Sequence, residues 1–226
     1  MKKKIFNLLL LVCVFGLAIA CYLSIYSEIS FTEELKSREA CVQSRLLQIR
    51  EAELAYKTAK RDYCGDLDSL IDWVKNGQAV KSVLKEGELT DDQLESGMTE
   101  AEAIQQGILV RDTTWIPAND TLHIKNPDSL KYIPVGNTGG KIQLRKNSLY
   151  NMRSQQEETV VEFRASLDDY SQGMSEKKIK SLKADLKKRG KNLADLQDFE
   201  SDVEDWYGLR MGDLLDSQNK MAGNWE

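Results

Sequence analysis

Residues 5–26 read IFNLLLLVCVFGLAIACYLSIY, and their reading decides how the rest of the chain is organised. The run holds one amide (Asn7), one serine (Ser24) and no charged residue. As a helix its 22 residues would span about 33 Å, against a bilayer hydrocarbon core of about 30 Å. Ile5, Leu10, Phe15 and Leu17 supply the apolar surface of such a span. Lys2, Lys3 and Lys4 precede it, which by the positive-inside rule keeps that end in the cytoplasm. Tyr22 and Tyr26, four residues apart, share a face at the far end, where an aromatic belt forms. The expectation is a single-pass signal-anchor in the inner membrane, contacting the lipid bilayer, with a periplasmic domain after it.

Two competing readings attach to the same segment. Ala18-Ile-Ala20 has the small-x-small form of a signal-peptidase site, and with Cys21 it forms a loose lipobox that would make Cys21 a lipidation site. The apolar run continues past Cys21 through Leu23, Ile25 and Tyr26, which favours an uncleaved anchor. All three readings put residues 27 onward outside the cytoplasm.

Beyond the anchor, Ser30-Phe-Thr-Glu33 has the capping-box form, which fits a helix start or a local adjustment where the membrane helix leaves the bilayer. No proline or glycine follows until Gly65, where a helix stop is expected. Leu35, Val42, Ile49, Tyr56 and Tyr63 recur every seven residues, with Leu46, Ala52 and Ala59 between them. That is one amphipathic helix, continuous or not with the span, whose stripe serves its own domain or a partner helix. Cys41 and Cys64 would stand roughly 34 Å apart along it, too far for a disulfide. Free thiols or an intermolecular bridge remain.

Asp66 to Gly77 predicts a short second helix, capped by Asp66 or Asp68, folding back to bury Leu67, Leu70, Ile71 and Trp73. Ala79–Lys85 reads as strand. Thr99-Glu-Ala-Glu102 opens a short helix that stops at Gly107. Ile108–Ile116, interrupted at Asp112, and Thr121–Lys125 read as a hairpin about the turn Pro117–Asp120. Leu130–Val135 and Lys141–Arg145 flank a glycine-rich turn, and residues 146–158 show no period. Val161–Leu167 alternates as a half-buried strand. A helix from Ser175 to Gly190 carries Ile179, Leu182 and Leu186; a short helix near 193–197 and strand at Tyr207–Met211 follow. Trp225 is expected to be buried against the domain.

The fold class is therefore α+β: a transmembrane helix running into a long amphipathic helix, then a short helix and a mainly antiparallel sheet with further short helices. The divisions are 1–4 basic flank, 5–26 span, 27–77 helical hairpin, 78–170 β-rich region and 171–226 C-terminal helix and tail on the same domain.

The chemistry-bearing residues are few. One histidine, His123, leaves no room for a His-based triad or His-rich metal site. A net charge of −5 gives no reason to expect nucleic acid. Asp66, Asp68, Asp72, Asp91 and Asp92 lack EF-hand spacing, and no serine sits in a nucleophile elbow. No catalytic residue, cofactor or metal ligand is expected. Residues 177–191 hold eight basic residues and one acidic, and residues 195–205 hold six acidic and no basic. The basic block reads as a solvated face complemented by the acidic one, or as a contact for anionic headgroups.

The chain resembles a family of membrane-anchored envelope proteins of the Bacteroidota. The likeness covers roughly residues 1–145 and 205–226. It rests on Tyr22-Leu-Ser-Ile25 with Phe31, Leu47-Gln-Ile-Arg-Glu-Ala52, Ala55-Tyr-Lys57, Leu67-Asp-Ser-Leu-Ile-Asp-Trp-Val-Lys75 and Thr99–Ala103 with Gly107–Asp112. Asn126–Pro134 and Ala222-Gly-Asn-Trp-Glu226 complete it. The resemblance implies an uncleaved anchor, envelope protein partners and no catalytic residues. The plan is also similar to type IV pilins and pseudopilins, although Lys2–Asn7 holds no glycine and the apolar run no glutamate.

Overall fold

A computed structural model describes residues 2–86, 90, 103, 106–136, 139–151, 155–188, 206–215 and 221–225. Helix α1 runs unbroken from Lys2 to Lys60. It contains no proline and one glycine, Gly16, so nothing in its backbone chemistry forces a break. Ser30–Glu33 therefore starts no helix. The residues sit inside α1, and Thr32 spends its hydroxyl on the Glu28 carbonyl at 2.9 Å. The far end also differs from expectation: α1 stops at Lys60 because Arg61 turns left-handed (φ 64°), five residues of chain before Gly65 is needed.

The two halves of α1 have opposite surroundings. From Leu10 to Ile29 every large apolar side chain is exposed. From Leu35 onward the stripe is covered: Leu35, Val42, Leu46, Ile49 and Ala52 are buried in one core with Tyr56, Ala59 and Tyr63 packed at its edge. Each such side chain contributes on the order of 1.5–3 kcal/mol when removed from water.

Helix α2 (Leu67–Asn76) folds back on α1. Asp66 is its cap, accepting from the Ser69 N–H at 2.8 Å, and Gly77 ends it. Its inward face is Leu67, Leu70, Ile71, Trp73 and Val74, with Trp73 edge-to-face on Tyr56 at 5.2 Å. The chain then forms β1 (Gln78–Glu86), which pairs antiparallel with β2 (Val110–Pro117). Between them, Thr99–Glu102 lies outside the described residues. Ala103 is helical, and beyond Gly107, at φ 71°, Ile108 and Leu109 donate to the Ala103 carbonyl.

The expected hairpin at 108–125 is corrected. β2 passes through Asp112 without interruption, and its partner is β1, with Gln78 opposite Pro117 and Glu86 opposite Val110. Residues 121–125 form no strand. Ala118–Leu122 is a short helix, α3, held by the bond from the Ala118 N–H to the Gly77 carbonyl and ended by left-handed His123. Asn126–Ser129 reads as a turn from its sequence and is one, a 3₁₀ turn over Pro127–Lys131, while the expected strand Leu130–Val135 contributes only the isolated bridge Tyr132–Lys141. Arg45 of α1 grips this turn through the Ser129 carbonyl and hydroxyl.

A second sheet has the order β3 (Gln143–Asn151), β4 (Gln156–Ser166), β5 (Gly208–Gly212), all antiparallel. The unpatterned stretch 146–158 is thus mostly strand. β4 is central, and Val160–Ala165 is buried on both faces, not one. Leu167 leaves the strand and opens the short helix α4 (Leu167–Tyr170). Gly136, at φ 100°, passes so close to the Asp169 carbonyl that a Cβ would lie 2.5 Å from it. Helix α5 (Glu176–Lys188) buries Ile179, with Leu182 and Leu186 against the core. Gly190 and residues 193–205 lie outside the described residues. The C-terminal segment docks along β5: Gly223 bridges Met211, the Asn224 N–H donates to the Arg210 carbonyl, and Trp225 is half-buried against the core.

This division of α1 is measurable. Ile49→Ala is expected to cost roughly 2–5 kcal/mol of domain stability and Leu17→Ala less than about 0.5 kcal/mol. Urea unfolding of the detergent-solubilised chain, followed by tryptophan fluorescence, reads both; equal losses would contradict the division.

Candidate functional site

Polar chemistry inside the domain gathers at three places. The first is the corner between α1 and α2. Glu53 lies four residues after Ile49 and seven after Leu46, so helix geometry turns it inward with the stripe. It is fully buried. Its Oε2 accepts from the Cys64 N–H at 3.0 Å, while Oε1 has no partner among the described residues. Burial pushes its pKa up to about 7; the Cys64 N–H and the Lys146 charge offset only part of this. The neighbouring Cys64 is buried, with its thiol donating to the Asp66 carbonyl at 3.1 Å. Burial also raises the thiol pKa, away from the thiolate that a nucleophile needs.

Lys146 of β3 closes this corner, donating to Asp62 at 2.7 Å and to the Tyr63 carbonyl at 2.8 Å. Its hydrogen bond holds the Asp62 carboxyl below the usual range. Beside the corner lies an open groove of about 480 Å³, whose walls include Leu54, Lys57, Arg61, Glu157 and Thr159.

The second place is the other face of β4. Glu162, fully buried, pairs with Arg164 and lies 3.3 Å from the Arg210 guanidinium. Arg210 also reaches Asp213 at 3.7 Å, and Arg164 sits under the Trp206 ring at 5.3 Å. These charges satisfy one another. Removing one partner would strand a buried charge, at a cost of about 3–5 kcal/mol.

The third place is the collar where α1 enters the domain. Arg38 donates to the Tyr170 carbonyl at 3.0 Å and the Gln172 carbonyl at 2.7 Å. Glu39 hydrogen-bonds Tyr170, and burial raises the pKa of both groups. Lower down, the Lys178 ammonium reaches the Ser27 carbonyl at 2.6 Å, the Ser27 hydroxyl at 2.8 Å and Glu28 at 3.2 Å, and lies over the Phe31 ring.

The residues singled out from sequence fall into two groups. Ile5 lies in α1, and Leu10, Phe15, Leu17, Tyr22 and Tyr26 stand exposed along its apolar half, the two tyrosines stacked at 6.1 Å. Cys21 is exposed among them. Leu35, Val42 and Ile49 are buried by the chain's own domain, with Tyr56 and Tyr63 half-buried, so this stripe is occupied. Cys41 is free and exposed; Cys64 is free and buried. The tryptophans do not converge: Trp73 packs on Tyr56, Trp115 is exposed on β2, Trp206 covers Arg164 and Trp225 closes the tail.

The residues missed are Glu53, Glu162, Arg164 and Arg210. Glu53 carried a signal, a carboxylate at core spacing. Glu162 and Arg164 carried none, because alternation with Val161 and Phe163 is also the pattern of a wet face. Among the described residues no three His, Cys, Asp or Glu side chains are placed to share a metal ion. Compared with protein families, with curated proteins and with solved structures, the chain matches none. What fold and sites define is an α+β domain built on the second half of a long helix whose first half is apolar and uncovered.

The buried Glu53 makes stability depend on pH. Its folded pKa lies above the unfolded value, so the unfolded chain loses its proton first. Stability should fall as pH rises from 4.5 to about 7, by on the order of 3 kcal/mol, and level off above. Glu39 and Asp169, also raised, add a smaller slope of the same sign. Urea titrations at pH 5 and pH 8 should show Glu53→Gln losing most of this difference; an unchanged difference would contradict the assignment.

Proposed function

We propose that this chain is a single-pass protein of the inner membrane, with its N-terminus in the cytoplasm and its domain in the periplasm. In this reading the domain is a non-enzymatic structural or assembly component of an envelope complex. The observation that carries the anchoring is the uncovered apolar half of α1: no residue in its most apolar window is buried, and the helix is long enough to cross a bilayer. In water such a surface is a strong aggregation liability. In lipid it is satisfied, and an unbroken helix meets every backbone hydrogen bond there.

The structural role is supported by how polar groups are used. Cys64 is held as a thiol and the Glu162 cluster is closed on itself. Orientation rests on Lys2–Lys4 ahead of the span, and the envelope setting on the likeness to the Bacteroidota family. An apolar helix carrying an antiparallel domain on its amphipathic half is also the plan of a pilin-like subunit. Because the stripe is already covered, envelope partners would have to use other surfaces.

A second reading, a lipoprotein or anchored binding module for a small ligand or peptidoglycan, draws on Ala18-Ile-Ala-Cys21. Intact-mass spectrometry of protein extracted from membranes separates the two. The expected result is a chain that keeps residues 2–20 and resists alkaline carbonate; an acylated Cys21 at the mature N-terminus would overturn the span. In-cell crosslinking is expected to recover a reproducible protein partner, and recovery of monomer alone would count against the assembly role.

A further inference from the structure

Helix α5 has two unlike faces. On one, Ile179 is buried and Leu182 and Leu186 pack against the core. On the opposite side, at helical spacing, stand Lys177, Lys180, Ala184 and Lys188, all exposed. The helix carries six lysines against Glu176 and Asp185, in a chain whose net charge is −5. At its flanks Lys183 pairs with Asp168 at 2.6 Å and Lys178 with Ser27 and Glu28.

The Lys178 contacts fix where this cationic face lies. Ser27 is the first residue after the apolar run, and Phe31, also touched by Lys178, is about 6 Å further along α1. A bilayer's headgroup layer extends about 5–7 Å beyond its hydrocarbon core on each side. The start of α5 is therefore pinned at headgroup height, within about one Debye length of the lipid phosphates. The outward face offers no apolar side chain larger than that of Ala184 for insertion, so its partner must be recognised by charge at the surface.

We propose that the membrane-proximal end of the outward face of α5, through Lys177 and Lys180, docks on anionic phospholipid headgroups and seats the domain against the membrane. The proposal rests on the anchoring of α1 described above.

The test uses the full chain reconstituted into vesicles of phosphatidylcholine alone or with phosphatidylglycerol, labelled with a membrane-impermeant amine reagent and read by peptide mass spectrometry. In phosphatidylglycerol vesicles Lys177 and Lys180 should each react about five-fold more slowly, while Lys75 on α2 is unchanged. At 1 M salt, where the Debye length is about 3 Å, this protection should disappear. Equal labelling in both vesicle types, with the chain still resistant to carbonate, would overturn the docking and leave the anchor standing. A chain released by carbonate would overturn both. Protection present in both vesicle types, and lost when the acidic residues of 195–205 are neutralised, would assign the face to that segment of the same chain and overturn the lipid contact.

Discussion

Everything in this structure hangs on α1 being one rod. Its 59 residues extend about 88 Å, and the hydrogen-bond ladder runs through the point where the surroundings change from nothing to a packed core. A flexible joint at Ser27–Phe31 would let the domain tumble on a tether. An unbroken helix forbids that, because bending it means losing backbone bonds. The collar of Arg38, Glu39 and Lys178 then fixes the domain's rotation about the rod. Where the apolar half is placed therefore determines which face of the domain is presented and at what height.

The packed half of α1 is the spine of the domain's core. The buried stripe of α1 meets the inward face of α2 on one side and Phe163, Ala165, Leu209 and Met211 of the three-stranded sheet on another. On the other face of β4, buried Glu162 is held between two arginines. Glu53 is only partly satisfied: its Oε1, like the Asn119 Oδ1, has no partner among the described residues, and the cost appears as a raised pKa.

How far the sequence could be read follows from how local each determinant is. Helix α2 was legible because its cap, stripe and stop all lie between Asp66 and Gly77. The α1 stripe was legible for the same reason, although the false start at Ser30–Glu33 and the stop at Gly65 were not, since a capping sequence inside a longer helix looks the same as one at its end. The hairpin at 108–125 was misread because β2 pairs with β1, over twenty residues earlier, and turn residues at Pro117–Asp120 suggested a nearer partner. β3 showed no period because it is an edge strand whose Lys146 and Asn147 are held by tertiary bonds to Asp62 and the Leu214 carbonyl. Of the polar sites, only Glu53 could have been found by spacing. The role of Lys178 depends on residues 27–31 being brought to it across the fold, which no local pattern encodes.

The central claim, that the apolar and packed halves are a single continuous helix, has a natural pair of reporters. Cys21 and Cys41 are both exposed and lie twenty residues apart on α1, one in each half. With Cys13 and Cys64 replaced by serine and alanine, spin labels on this pair in bilayer nanodiscs give their separation by pulsed electron resonance. A continuous helix predicts one narrow distance near about 30 Å. A broad or markedly shorter distribution would show a joint between the halves and contradict the account.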